Sequence, residues 1–360
     1  MLPKLPLNKT KSNIKGIQFT LFYECNLHCK FCFQERLSVN PITEKIKSQV
    51  NNNIKKIKNY ISTCEYPIIE YKLLGGEIFL PTIEWDWLKQ VIFDLINISK
   101  EYNKQCQFVF MTNLIHSKQT REKVKEYIIN PLKEQNIKFV IAPSFDIYGR
   151  FNTSEQLKIF KDNCEYYRNL NVLGQCNIVL SAPTCRLFTN KQIPTSLEKE
   201  TLALFNNMYQ EGFKFDVDYY AARNIEDDPL MPTETELLDT LLYLWYNYQN
   251  IRLLQTFKLS NTPKKLNCCS ELQVEGDVCT ESCIKFYHQE NNPNLETKDG
   301  PNYKERLIQN YMNKKQCLLC KWYKHCPMGC FFYLDNKMKK EYKDNECLYK
   351  KLFNQINKQL

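Results

Sequence analysis

Six short apolar runs, each followed by a helical pattern, occupy the first 250 residues of this 360-residue chain. In the first helical pattern, apolar residues recur every three or four positions from Ile42 to Ile61, which gives a helix a single apolar stripe. Strands that alternate with helices form parallel sheets with right-handed crossovers, so the sequence predicts an α/β fold. The predicted strands cover residues 17–23, 68–74, 108–111, 139–141, 178–180 and 213–219.

Helix-start signals support this alternation. Thr153 with Gln156, and Thr233 with Glu236, have the spacing of capping boxes, in which two side chains satisfy backbone N–H groups at the start of a helix. Further helices are predicted over residues 87–98, 121–132 and 155–170 from their apolar periodicity.

Three cysteines directly follow the first predicted strand. Cys25, Cys29 and Cys32 have the spacing Cys-x3-Cys-x2-Cys, with the aromatic Phe31 before the last of them. Three thiolates on one loop can hold three corners of a [4Fe-4S] cluster and leave the fourth iron open to a small molecule. A three-ligand zinc site and a chance cluster of cysteines are the alternatives.

This spacing resembles the signature of radical S-adenosylmethionine (SAM) enzymes. In that family the amino and carboxylate groups of SAM chelate the open iron, and one-electron reduction cleaves SAM to a 5'-deoxyadenosyl radical. The resemblance implies that Cys25, Cys29 and Cys32 are the catalytic cluster ligands. It also implies a partial (βα)6 barrel over residues 16–250, an open version of the eight-fold TIM barrel, with functional residues at the carboxyl ends of the strands.

Polar motifs follow the later predicted strands. The segment Gly-Gly-Glu at residues 75–77 resembles the family motif that binds the SAM amino group, and its glycines are expected to let the backbone approach a ligand closely. The family usually continues with Pro, whereas Ile78 stands here. Met-Thr-Asn at residues 111–113 is similar to the family's Thr-Asn-Gly, with Leu114 in place of the glycine.

The segment after the fourth predicted strand resembles the one whose polar residues meet the SAM ribose and carboxylate, and the fifth strand supplies a further polar residue. By this resemblance the cofactor-binding residues are Phe31, Gly75, Gly76, Glu77, Asn113, Ser144, Asp146, Arg150 and Asn177. The alternative for each polar residue is that it only caps the end of a strand.

The last third of the chain is rich in cysteine: nine of the seventeen cysteines lie between residues 268 and 347. Cys317, Cys320, Cys326 and Cys330 have the spacing Cys-x2-Cys-x5-Cys-x3-Cys, and Cys347 follows after a gap. This pattern resembles the SPASM extension of radical SAM enzymes, which carries two auxiliary [4Fe-4S] clusters. Zinc-ribbon sites are the alternative, because Cys-x2-Cys is also a zinc spacing.

The SPASM resemblance implies a ligand set for each auxiliary cluster. The outer cluster would take Cys317, Cys320, Cys326 and Cys347, and the inner cluster Cys330 with ligands from Cys268, Cys269, Cys279 and Cys283. The sequence departs from the family around Gly276, since Glu281 stands five positions later, where a cysteine is usual. The predicted domains are an N-terminal segment (1–15), the partial barrel (16–250) and the auxiliary cluster domain (251–360). The other cysteines, at positions 64, 106, 164, 176 and 185, are predicted to be small core residues.

Composition limits the environment of the protein. The N-terminus has no continuous apolar segment of the signal-peptide kind, and the sequence contains no stretch of about 18 apolar residues that could span a bilayer. So many cysteines in a chain of this length favour metal ligation over disulfides, so we predict a cytoplasmic protein without a membrane partner. The net charge of +9 indicates either a nucleic-acid partner or a solvated lysine-rich surface. The sequence contains no long basic run, so the lysine-rich surface is favoured.

The family resemblance also implies a function. Enzymes with the SPASM extension mostly act on a peptide or protein, by oxidation, crosslinking or epimerisation, and need a reductant such as flavodoxin or ferredoxin. Sulfatase-type maturation is one specific version, although no catalytic base can be placed from the sequence. A nucleotide, nucleic acid or other small molecule is the alternative substrate. A degenerate iron–sulfur scaffold or electron carrier is the non-enzymatic alternative.

Overall fold

The predicted parallel sheet is present in the computed structural model, which describes residues 13–32, 42–220, 228–259, 271–280, 312, 317–323, 325–326 and 347–357. Four neighbouring strands pair in parallel in the order of the chain. They are β1 (Ile14–Thr20), β2 (Ile68–Leu74), β3 (Gln105–Thr112) and β4 (Lys138–Pro143). The predicted end of the first strand at residue 23 is wrong, because the chain leaves the regular strand after Thr20 and turns into the cysteine loop, residues 21–32.

The last two strands of the βα series form a separate pair, β5 (Cys176–Leu180) and β6 (Phe215–Tyr219), which are also parallel. Two isolated bridges, Ile141 to Leu173 and Ser144 to Asn177, connect this pair to β4. Three residues separate the bridges on the β4 side but four on the other, so one residue bulges there. The βα strands therefore follow one another as predicted, with a bulge between the fourth and the fifth.

A hairpin from the cysteine-rich part of the chain extends the sheet beyond β1. Its first strand, β7 (Leu272–Glu275), pairs in parallel with β1, and β8 (Val278–Thr280) pairs antiparallel with β7. Helix α1 holds the turn of the hairpin, since Asn53 Nδ2 donates to the Gly276 carbonyl over 2.8 Å. The sequence did not predict these two strands, and they place part of residues 251–360 in the barrel sheet.

Helices cover the outer face of the sheet. Those of the βα units are α1 (Glu44–Thr63), α2 (Trp85–Glu101), α3 (Lys118–Val124), α4 (Asn130–Glu134), α5 (Ser154–Asn169), α6 (Ala182–Phe188), α7 (Ser196–Gln210), α8 (Glu234–Asn247) and α9 (Arg252–Gln255). The helix predicted over 121–132 is interrupted by a π-helical turn, Lys125–Ile129. Near the C-terminus lie a 3-10 turn (Cys317–Leu319) and α10 (Leu348–Ile356). Within the described part of the chain, no helix is both long and apolar enough to cross a membrane.

One of the two predicted capping boxes forms completely. Thr233 and Glu236 exchange both bonds at the start of α8. At α5 the Thr153 hydroxyl accepts from the Gln156 amide, but the Gln156 side chain accepts from the amide of Asn152 instead. Each hydroxyl cap stabilises its helix by about 1 kcal/mol.

The sheet has two chemically different faces. The outer face is apolar and packs on the helices: Ile17 and Phe19 are fully buried, and the Tyr71 hydroxyl donates to the Leu95 carbonyl of α2 over 3.2 Å. The opposite, inner face is polar. On it, Lys72 forms an ion pair with Glu271. Because successive residues of a strand point to opposite faces, the polar part of the inner face includes Gly16, Gln18 and Thr20 on β1, with Glu70 and Lys72 on β2 and Glu271, Gln273 and Glu275 at and along β7.

Candidate metal and cofactor site

The cysteine loop lies at the carboxyl end of β1 and runs beside the end of β2. The Leu21 amide donates to the Leu74 carbonyl (2.8 Å), the Gly76 amide to the Phe22 carbonyl (2.9 Å) and the Glu77 amide to the Glu24 carbonyl (2.8 Å). The three thiols therefore sit where the sequence placed them, at the end of the sheet that carries functional residues in βα barrels.

Gly76 is required by the loop itself. A Cβ atom at this position would lie 2.3 Å from the carbonyl oxygens of both Tyr23 and Glu24. Because these are backbone atoms, no side-chain movement could relieve the clash. The expected close approach at the Gly-Gly-Glu segment therefore exists, and in this structure it is made to the cysteine loop. A Cβ at Gly75 would meet the Phe22 ring at 3.0 Å.

The Glu77 side chain is buried, with 1% of its surface exposed, and it joins the segments that follow β2 and β3. Its Oε1 accepts from the Phe79 amide (2.9 Å) and the Thr112 hydroxyl (2.6 Å), while Oε2 accepts from the Asn113 amide (2.6 Å). Burial raises the pKa of this carboxyl group, and the three donors offset that rise in part. Its predicted contact with the SAM amino group remains a prediction.

Asn113 connects the end of β3 to the cysteine loop. Its Nδ2 donates to Asn26 Oδ1 over 2.8 Å and lies 3.9 Å from the Cys25 sulfur. The next residue, Leu114, has a φ of 56°, in the left-handed region that favours glycine. The backbone thus keeps the conformation suited to the glycine of the Thr-Asn-Gly motif, although a buried leucine occupies the position.

The segment after β4 packs on the turn between the second and third cysteines. The Lys30 amide donates to the Gly149 carbonyl over 3.0 Å, and the Cys32 amide donates to the Cys29 carbonyl over 2.9 Å. The Arg150 guanidinium lies over the Phe31 ring, 5.3 Å from its centroid. These contacts bring three of the predicted sites, Phe31, Arg150 and the cysteines, into one cluster.

Arg150 and Asp146 form a buried ion pair, with 9% and 1% of their surfaces exposed. Arg150 Nε donates to Asp146 Oδ2 over 2.7 Å, and Asp146 Oδ1 accepts from the Val179 amide over 2.6 Å. Burial lowers the pKa of Arg150, but the nearby Cys29 thiol and Asp146 outweigh that effect and raise it. The guanidinium is therefore cationic and is held beside the cysteines.

Ser144 and Asn177 meet at the bridge between β4 and β5, and both are half-buried. Their backbones join the strands, since the Phe145 amide donates to the Asn177 carbonyl over 2.7 Å. Among the residues that the structure describes, neither side chain has a hydrogen-bond partner. Both predicted cofactor-binding groups are therefore available to a ligand.

The three thiols influence one another electrostatically. Burial raises the pKa of Cys25 to about 12, and Glu77, Cys29 and Cys32 add to the rise. Burial likewise raises the pKa of Cys29 to about 11, although Arg150 opposes it. Within the described ranges, no three Cys, His, Asp or Glu side chains converge on a single ion. The donor set fits a [4Fe-4S] cluster, in which each thiolate binds a different iron, because three thiols occupy one loop beside a buried cation.

A pair of residues that the sequence did not predict lies next to the cysteine loop. The Tyr23 hydroxyl donates to Glu275 Oε1 over 2.7 Å, and Glu275 is 98% buried at the end of β7. Burial, and then Glu275 itself, raises the pKa of Tyr23. Only the pairing of β7 with β1 brings these residues together across 252 positions, and no local sequence signal marks that pairing.

The structure describes five of the predicted auxiliary ligands. Cys317 is buried and begins the 3-10 turn, Cys320 and Cys326 are half-buried, and the Cys347 sulfur accepts from the Lys350 amide (3.3 Å) at the start of α10. Cys279 is exposed on β8. The remaining predicted ligands, Cys268, Cys269, Cys283 and Cys330, lie outside the described residues. Of the cysteines predicted to be core, those at 164, 176 and 185 are buried and those at 64 and 106 half-buried.

These features define an α/β partial barrel with a three-cysteine loop at the carboxyl end of its first strand. Its structure is similar to that of native anSMEcpe with bound AdoMet, with a TM-score of 0.62, 16% identity and coverage of 95% of this chain and 96% of that chain. The likeness shows that the two share a fold, and it confirms the predicted fold class.

The sequence is 23% identical over 367 residues to the radical SAM cyclopropyl synthase TigE of Paramaledivibacter caminithermalis. The match covers 91% of this chain and 70% of that protein. No protein-family model matches the sequence.

Proposed function

We propose that this protein is a radical SAM enzyme that modifies a peptide or protein. The observation that carries the proposal is the cysteine loop, whose three thiols are held at the carboxyl end of β1 by the segments that follow β2, β3 and β4. The similarity to a radical SAM cyclopropyl synthase over 91% of the chain supports it. A [4Fe-4S] cluster and SAM, when bound, would supply a 5'-deoxyadenosyl radical.

The protein's own residues would hold and orient these groups. Cys25, Cys29 and Cys32 would bind three irons. Ser144 and Asn177, whose side chains have no hydrogen-bond partner among the described residues, would provide a hydroxyl and a carboxamide for the polar groups of SAM. Phe31, packed under Arg150, would cover one side of the cluster and exclude water. Glu77 would hold the segment that follows β3 in position, because its carboxyl oxygens already accept hydrogen bonds from Thr112 and Asn113.

The inner face of the sheet supports a peptide as the substrate. Gln18 and Gln273 lie side by side on β1 and β7, one layer below Glu275. Gln273 is 96% buried, and its Oε1 has no donor in the described part of the chain. Carboxamides carry both a donor and an acceptor, so they match the N–H and C=O groups of a peptide main chain. A buried acceptor without a donor costs about 1–3 kcal/mol, which a bound donor would recover.

Glu275 is placed to accept a proton from such a substrate. It lies at the carboxyl end of β7, and its Oε1 already accepts a hydrogen bond from Tyr23, two residues before Cys25. After a hydrogen atom has been transferred from a substrate carbon to 5'-deoxyadenosine, loss of one more electron, to a proposed auxiliary cluster, would release a proton from a neighbouring N–H, O–H or S–H group of the substrate. A positioned carboxyl group is a common acceptor of such a proton. We further propose that the C-terminal cysteines hold two auxiliary [4Fe-4S] clusters with the predicted ligand sets, and that a flavodoxin or ferredoxin is the reductant in the cytoplasm.

The test is anaerobic reconstitution with iron and sulfide, followed by incubation with SAM, a reductant and candidate peptides. We expect 5'-deoxyadenosine to form, and deuterium from a labelled peptide residue to appear in it. Absence of 5'-deoxyadenosine from an iron-loaded sample would contradict the radical SAM assignment. Deuterium transfer from a nucleotide or nucleic acid, and from no peptide, would contradict the peptide assignment alone.

A further inference from the structure

The environment of Arg150 indicates a role beyond a contact with SAM. Its guanidinium is nine-tenths buried, and among the described residues its one hydrogen-bond partner is Asp146, which accepts from Nε. Among the described residues, its terminal nitrogens make no hydrogen bond. The Cζ atom of this cation lies 5.3 Å from the ring centroid of Phe31, which stands between the second and third cysteines.

The backbone fixes the guanidinium in that place. Gly149 has a φ of 71°, and a Cβ there would lie 2.9 Å from the Lys30 Cβ. The Gly149 carbonyl accepts from the Lys30 amide, and Lys30 Nζ lies 5.3 Å from the centroid of the Tyr148 ring. The segment that carries Arg150 is therefore attached to the same turn that carries the cysteines.

We propose that Arg150 raises the reduction potential of the cluster held by Cys25, Cys29 and Cys32. This inference rests on the proposed function. Three thiolates make the site negative, and a one-electron reduction adds one more negative charge. A buried cation stabilises the reduced form more than the oxidised form, because the interior screens charge far less than water does.

The ion pair does not cancel this effect. Asp146 Oδ2 accepts from Nε and its Oδ1 accepts from the Val179 amide, so the carboxylate binds one edge of the guanidinium and is itself bonded to β5. The terminal nitrogens have no hydrogen-bond partner among the described residues, and Cζ lies 5.3 Å from the centroid of the Phe31 ring of the cysteine loop.

The experiment is a redox titration of the reconstituted full-length protein without SAM, followed by electron paramagnetic resonance. The signal of the variant with Cys25, Cys29 and Cys32 replaced by Ala is subtracted, so that only the loop's cluster is observed. For Arg150→Gln we expect the ratio of reduced to oxidised cluster at a fixed potential to fall about tenfold, which is 59 mV for a one-electron couple. Arg150→Lys keeps the charge and should restore most of the ratio.

Lys30→Gln is the matched control. It removes the same charge next to Cys29, but Lys30 is exposed, so water and salt screen it and the ratio should change little. If Arg150→Gln does not fold, the double variant Arg150→Gln/Asp146→Asn avoids leaving a buried carboxylate unpaired, and its ratio should still fall, though by less.

The outcomes separate the two proposals. A loop cluster whose potential is the same in wild type and Arg150→Gln without SAM overturns the redox role, and leaves the radical SAM assignment intact. Equal shifts for Arg150→Gln and Lys30→Gln also overturn it, since burial would then play no part. Absence of any cluster signal that depends on Cys25, Cys29 and Cys32 contradicts the proposed function itself.

Discussion

The two cysteine-bearing regions of this chain are held in different ways. The cysteine loop is bonded by residues far away in sequence: Gly76, Asn113 and Gly149 each contribute a hydrogen bond from a different βα unit. Around Cys317, Cys320 and Cys326, the backbone bonds between described residues join positions three or four apart, such as Cys326 to the Trp322 carbonyl over 2.9 Å. A tertiary contact follows at Trp322, whose ring stacks on Phe353 with a centroid distance of 5.5 Å.

This difference indicates how metal and folding are coupled in each region. Packing of the barrel builds the site for the first cluster, so we expect the loop to keep its shape without iron. We expect the C-terminal arrangement to depend more on metal, because the described backbone bonds there are local and ligation would join cysteines further apart in the sequence. The predictions below test that contrast, beginning with the largest expected effect.

Replacement of Cys25, Cys29 and Cys32 by Ala should abolish SAM cleavage while the barrel stays folded. The three thiols are the proposed iron ligands, whereas neighbouring backbone bonds hold the loop. We expect iron to fall from roughly twelve to roughly eight atoms per chain, at four per cluster. The measurements are 5'-deoxyadenosine formation, iron analysis and circular dichroism.

The matched variant replaces Cys317, Cys320, Cys326 and Cys347 by Ala. It should also lose about four irons, keep some SAM cleavage, and become more sensitive to proteolysis near its C-terminus. Equal sensitivity in the two variants would show that the regions do not differ in their dependence on metal. Stoichiometric zinc with about four irons in the wild type would instead support a zinc-ribbon tail.

Glu275→Gln should lower product formation about 10²-fold, because removal of a general base typically costs that much or more. Cleavage of SAM without product should persist, since Glu275 contacts Tyr23 rather than a cysteine. Liquid chromatography of one reaction measures the ratio of modified substrate to 5'-deoxyadenosine. Tyr23→Phe, which removes only the hydrogen bond, should have a smaller effect, and equal loss of both products in Glu275→Gln would assign Glu275 a structural role.

Gly76→Ala should destabilise the barrel by about 3 kcal/mol, because its Cβ would overlap two backbone carbonyls of the cysteine loop. The measurement is urea unfolding of the protein without iron. Gly212→Ala is the control: its Cβ meets nothing within 4 Å, and its φ of 83° costs only about 1 kcal/mol. Similar losses in both variants would mean that the loop does not form before iron binds.

Acid should weaken the barrel through His116, whose ring packs on Phe79 and Tyr167. Burial lowers its pKa to about 4 from 6.5, and its Nε2 lies 3.3 Å from the Tyr167 hydroxyl. The unfolded chain binds the proton first, so stability is complete above pH 6.5 and falls by about 1.4 kcal/mol per unit toward pH 4. Unfolding of the wild type across this range should show the slope, and His116→Gln should reduce it. His28→Gln, at an exposed position, should leave it unchanged.

The sequence predicted those elements that are marked by a pattern among residues close together in the chain. The apolar stripe of α1 and the run that became β2 identified these elements, and the spacing of Cys25, Cys29 and Cys32 identified the loop. It did not predict β7, since four residues with mixed polarity carry little signal and the partner strand β1 is more than 250 residues away. Glu275 was missed for the same reason. The predicted end of β1 was wrong because apolar Leu21 and Phe22 continue the strand pattern, although they are the buried first residues of the cysteine loop.

The ion pair between Lys72 and Glu271 has a consequence for the depth of the barrel. Its atoms pass over Gly16, where a Cβ would lie 2.7 Å from the Glu271 side chain, so only glycine leaves room for the bridge. Four strand residues, or about 13 Å, separate this level from Thr20 at the mouth. The bridge crosses the inner face beside β1, so a guest that enters past the cysteines along this strand meets an ion pair at that depth. For the proposed peptide substrate, the length of an inserted side chain would then decide whether it reaches these two charges.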